Sequence, residues 1–72
     1  MQPSIGRTVH YVDRHESKPK ELVHRAAIIM ALEEQGLFLH VFGPIDDRKL
    51  HNVVQDEGVK SLGTWHWPER VD

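Results

Sequence analysis

Apolar and polar positions alternate in several short runs along this chain, and each run predicts an element. Ile5 to Val12 alternates and is rich in β-formers (Thr8, Val9, Tyr11, Val12), which predicts a first strand. Asp13 to Lys20 is charged, contains Ser17 and Pro19, and reads as a loop or a helix start. Glu21 to Gln35 fits two descriptions. As a helix, Ser17 caps it, Pro19 suits its first turn, Leu22, Ala26, Ile29 and Met30 share one face, and Gly36 stops it. As β structure, Arg25 to Leu32 is a buried strand and Glu33-Glu34-Gln35-Gly36 is a hairpin turn. Periodicity alone slightly favours the helix. Leu37 to Phe42 reads as a strand, with Leu37, Leu39 and Val41 on one face and Phe38, His40 and Phe42 on the other. Gly43-Pro44 breaks it and Ile45-Asp46-Asp47 turns the chain. Leu50 to Val54 is a candidate fourth strand, Gln55 to Gly58 a turn, and Thr64 to Trp67 a last strand that Pro68 ends.

Size narrows the picture. The 72 residues predict a single domain over residues 1–72, with no repeat or linker. So short a chain buries only about 60% of its unfolded surface, so its core is thin. Cysteine is absent, which removes disulfides and thiolate metal sites and makes self-association a natural source of extra stability. The net charge is -2 with both signs interspersed, unlike the one-sided basic footprint of a nucleic-acid binder. Met1-Gln2-Pro3-Ser4 lacks the basic start and apolar run of a signal peptide. No apolar run approaches the roughly 20 residues of a membrane span. The expectation is a cytoplasmic protein that contacts neither membrane nor nucleic acid.

The stretch Gly63-Thr64-Trp65-His66-Trp67-Pro68-Glu69 holds both tryptophans. Together with Arg25-Ala26-Ala27-Ile28-Ile29, Leu37-x-Leu39-x-Val41-Phe42 and Val53-x-x-Asp56-Glu57, it resembles a group of short proteins of tailed bacteriophages and prophages that end in Gly-Thr-Trp-His-Trp-Pro. The similarity covers roughly residues 6 to 70, and the terminal motif is its specific part. The resemblance implies an all-β, five-stranded, SH3-like barrel in which Arg25 to Leu32 is a hairpin strand, against the helical propensity. It also implies the cytoplasm of an infected bacterial host cell. The chain departs from the group's pattern at Glu33-Glu34-Gln35-Gly36 and at Gly43-Pro44-Ile45. The resemblance carries over a fold, not an activity.

Candidate chemistry centres on the aromatic pair. In a strand, Trp65 and Trp67 share a face and His66 takes the other. The indoles either close the core or stack on a base, which contributes about 1–3 kcal/mol per base. Arg25 lies in an apolar run and needs a partner: Glu21, Asp56 or a ligand phosphate. Strand neighbourhood in an SH3-like barrel brings Trp65, His66 and Trp67 near Arg25 or His10, so these five residues form the expected ligand site. His24, Arg25 and Lys49 are a second grouping that suits a small anion. Six histidines are many, yet no pair has the close spacing of a local metal clamp, so neither a metal site nor a cofactor is expected. Phe38, His40 and Phe42 form an outward face suited to an oligomer interface. No nucleophile elbow, cysteine or phosphate loop supports catalysis. The function expected is a non-catalytic phage accessory protein that binds a small anionic, nucleotide-like ligand, sequestering a signal of host defence, as a homo-oligomer. The alternative is an interaction module for a host or virion protein.

Overall fold

In the computed structural model, which describes residues 2–68, five strands form one antiparallel sheet: β1 (Thr8–Arg14), β2 (Leu22–Glu33), β3 (Gly36–Val41), β4 (Arg48–Val53) and β5 (Trp65–His66). The strand order is β4-β3-β2-β1-β5. There is no helix among the described residues, and hence none long and apolar enough to cross a membrane. The all-β expectation therefore holds: the expected strand Arg25 to Leu32 lies within β2, which runs Leu22–Glu33 despite the helical pattern, and the hairpin turn is Glu34-Gln35. The sheet is not closed into a barrel. An isolated parallel bridge between Gln55 and Trp65 does link the chain beyond β4 back to β5. Strand limits shift from expectation at both ends. Ile5 lies in a turn and is exposed, so β1 starts later, and β5 is two residues rather than four.

The long β2 works because it is shared. Its first half pairs with β1, from Leu22 opposite Arg14 to Ile28 opposite Thr8. Its second half pairs with β3, from Ala27 opposite Val41 to Glu33 opposite Gly36. The register shifts between Ile29 and Ala31, so Met30 is an extra residue that bends the strand. A second shift places His51 and Asn52 of β4 opposite Phe38, and Asn52 takes a left-handed φ of 51°. Glu33 secures this bulge: its carboxylate accepts from the Asn52 N–H at 2.7 Å and contacts His51 Nδ1 at 2.8 Å.

One face of the sheet carries the core. Val9, Tyr11, Ala27, Ile29, Leu37, Leu39, Val41, Val53 and Trp65 are buried there, with Leu50 and Trp67 packed at its margin. Leu37, Leu39 and Val41 point inward as the alternation predicted. The exposed edge strand β4 opens with Arg48 and Lys49, charges that discourage edge-to-edge pairing.

Gly36 is fixed by close packing. A Cβ there would lie 2.5 Å from the Val53 carbonyl oxygen and 2.6 Å from the Asn52 carbonyl carbon, both backbone atoms. At Gly58 the nearest atom is the Asp56 side chain, at 4.0 Å. Gly36→Ala should therefore destabilise the fold by about 1–3 kcal/mol, the usual cost of overpacking. Gly58→Ala should leave the urea midpoint nearly unchanged. Equal midpoints for the two variants would refute the packing argument.

Candidate functional site

Gly63, with a φ of 83°, turns the chain into β5. Its N–H donates to the Val12 carbonyl at 2.9 Å, and the Val12 N–H donates to the Thr64 carbonyl at 2.9 Å. These bonds lay β5 along β1, pairing Tyr11 with Trp65 and His10 with His66. Alternation then separates the aromatic motif. Trp65 is 3% exposed and is a wall of the core. Trp67 is half-buried and meets Trp65 edge to face, with ring centroids 5.3 Å apart. Its backbone N–H donates to Glu57 at 2.8 Å. The exposed Arg7 places its guanidinium 5.4 Å from the Trp67 ring centroid, a cation–π distance.

Arg25 does not join that group. It faces Tyr11 across the β1–β2 ladder, so the neighbouring acid on the same face of β1 is Asp13. Arg25 Nε donates to Asp13 at 2.8 Å, and Nη2 donates to Glu16 at 3.0 Å and to the Arg14 carbonyl at 3.1 Å. The expected partners Glu21 and Asp56 are thus corrected to Asp13 and Glu16. Arg48 also pairs with Asp13. Burial pushes the Asp13 carboxyl up, but the hydrogen bonds from Arg25 and the Arg14 N–H, with the charges of Arg48 and Arg25, outweigh it and hold it below its ordinary range. A shallow cleft of about 190 Å³ opens beside these side chains, walled on its far side by Gly43 to Asp46. The grouping of His24, Arg25 and Lys49 is not assembled either. His24 and Arg25 point to opposite faces, and Lys49 pairs with His40, two strands away from Arg25.

The histidines divide into two sets. His15 Nδ1 accepts from the Ser17 and Lys18 N–H groups at 3.1 Å. His40 contacts Asp47 at 3.2 Å and stacks on Phe42, and His51 stacks on Phe38. His10, His24 and His66 instead converge on the sheet face opposite the core, each offering a ring nitrogen within 4.8 Å of the others. The separation of these three along the sequence hides that convergence. His10 pairs directly with His66, and His24 sits diagonally to His10, opposite Val12. His66 is fully buried, His10 half-buried and His24 exposed.

No family model, curated protein or solved structure matches this chain. Its chemistry is therefore read from its own residues. Of the five expected site residues, His10 and His66 meet on one face, while Trp65, Trp67 and Arg25 belong to the other. Sequence reasoning missed Arg7, which no motif marks, and the place of His24 beside His10 and His66. Phe38, His40 and Phe42 do lie on the outward face, with Phe42 40% exposed.

The acid pair sets a pH dependence. Asp13 titrates lower in the fold than in the unfolded chain, so its contribution is present above the unfolded value of about 3.9 and is lost as pH falls below it. Glu16, Glu33, Asp56 and Glu57 shift in the same direction. Urea unfolding should show lower stability at about pH 3 than at neutral pH. Asp13→Asn should lower the neutral-pH stability and narrow that difference. A difference as large as in the unmodified protein would remove Asp13 from this account.

Proposed function

We propose that this chain is a non-catalytic binding module that takes a small anionic, nucleotide-like ligand at the Trp67 edge. The observation that carries the reading is the exposed Arg7 guanidinium over the Trp67 ring. A π-face beside a cation is the chemistry that receives a base joined to a phosphate. The guanidinium in this role is Arg7, which lies at the Trp67 ring, whereas Arg25 stands apart from it on Asp13 and Glu16. The net charge of -2 argues against a long polyanion and in favour of a compact ligand. On the phage resemblance, the use of such a module is to sequester a nucleotide signal of host defence in the cytoplasm of the infected cell. The Gln55–Trp65 bridge supports an SH3-like barrel as the architecture, since it draws the chain beyond β4 towards the opposite edge of the sheet.

Self-association belongs to the same proposal. Phe42 and Met30 are exposed large apolar residues, His40 stacks on Phe42, and Phe38 shares His40's outward face of β3. The same surface favours the second reading, an interaction module for a host or virion protein.

Two experiments test these readings. A thermal-shift panel of mono-, di- and cyclic nucleotides should contain a stabilising member, worth about 2.7 kcal/mol at a hundred times its dissociation constant. Arg7→Ala should weaken that ligand and flatten the salt dependence of its binding, while the unliganded midpoint falls only by the small amount expected for a lost surface cation–π contact. If no nucleotide shifts the midpoint, the interaction-module reading moves ahead. Separately, light scattering should report an oligomer that Phe42→Asp dissociates, because the variant places an unpaired charge in a dry contact. A monomer at high concentration would reject the assembly.

A further inference from the structure

We infer that His10, His24 and His66 form a three-imidazole site for a divalent transition metal, with Zn²⁺ as the ion it fits. The inference is independent of the nucleotide reading and uses the other face of the sheet. Three strands each contribute one ligand: His10 from β1, His24 from β2 and His66 from β5. The ladder hydrogen bonds fix their backbones, so the site stands on paired strands rather than on loops.

The ring geometry suits one central ion. A tetrahedral zinc with bonds of about 2.0–2.1 Å to nitrogen sets imidazole centroids about 5 Å apart. Here the centroids are 5.5 Å apart for His10 and His66, 4.5 Å for His24 and His66, and 6.1 Å for His10 and His24. The interplanar angles, 57° to 85°, show rings tilted against one another rather than stacked. His40 with Phe42 and His51 with Phe38 show the contrast, with angles of 19° and 10°. The ligand nitrogens lie within 4.8 Å of one another, so closing on an ion takes modest side-chain rotation.

The polar accounting points the same way. His10 Nδ1 is buried with no hydrogen-bond partner among the described residues. A buried ring nitrogen left so costs stability, and a metal bond relieves that cost. Three neutral imidazoles also suit a borderline-soft cation better than a carboxylate-preferring Mg²⁺ or Ca²⁺. Because His24 is exposed while His66 is fully buried, the ion enters from the His24 side. The fourth position then opens to solvent, for water or an anionic group.

The test uses the full chain without a polyhistidine tag, stripped with chelator. Calorimetric titration with Zn²⁺ should give one ion per chain. Co²⁺ should give the intense visible bands of a four-coordinate site. His24→Ala, a change at an exposed side chain, should fold normally and lose more than about a hundredfold in Zn²⁺ affinity, beyond the range seen for outer-shell partners. His51→Ala should retain the affinity. The inference is overturned by a titration without stoichiometric uptake, by the weak bands of an octahedral Co²⁺ ion, or by His24→Ala binding zinc as tightly as the unmodified protein.

Discussion

The row Val9–Ala27–Val41 is the constraint on which the rest of the structure depends. Ala27 pairs with Val9 on one side and Val41 on the other, and all three are buried. It lies where the two ladders of β2 overlap, so it holds the β1 half and the β3 half in one sheet. Its methyl group is small enough for two valines to flank it, and the bulge at Met30 follows within the same strand. A larger side chain there forces the halves apart at the point where a thin core has least room to adjust.

That register also decides what each face can do. Side chains alternate with a period of two, so the pairing that buries Val9, Tyr11 and Trp65 must send His10 and His66 to the opposite face. The aromatic motif is therefore two features. Trp65 stabilises the fold, and Trp67 borders solvent with Arg7 above it. A slip of one residue would exchange imidazoles for core residues. The ladder thus enforces the histidine cluster as strictly as it enforces the core.

Much of the fold was legible in short-range pattern. Leu37 to Phe42 alternates cleanly, and β3 is found there one residue earlier at each end, as Gly36–Val41. Glu21 to Gln35 was ambiguous because Leu22, Ala26, Ile29 and Met30 fit a helical stripe. Pairing to β1 and β3 overrides that propensity, and pairing partners are not visible in a local window. The site was less legible for the same reason. Arg25's need for an acid was readable, but Asp13 as its partner follows only from the ladder register. His10, His24 and His66 are far apart in sequence and become neighbours through two strand pairings, so no spacing motif signals them.

The two-residue β5 has a consequence for folding. It bonds to β1, the first strand, and Trp65 N–H also donates to the Val54 carbonyl beyond β4. Until Trp65 docks, the β1 to β4 meander leaves the Tyr11 side of the core uncovered. Native closure therefore joins β1 to β5, the two strands farthest apart along the described chain. Such first-to-last contacts slow folding. During that interval the chain presents apolar surface of the kind that chaperones recognise.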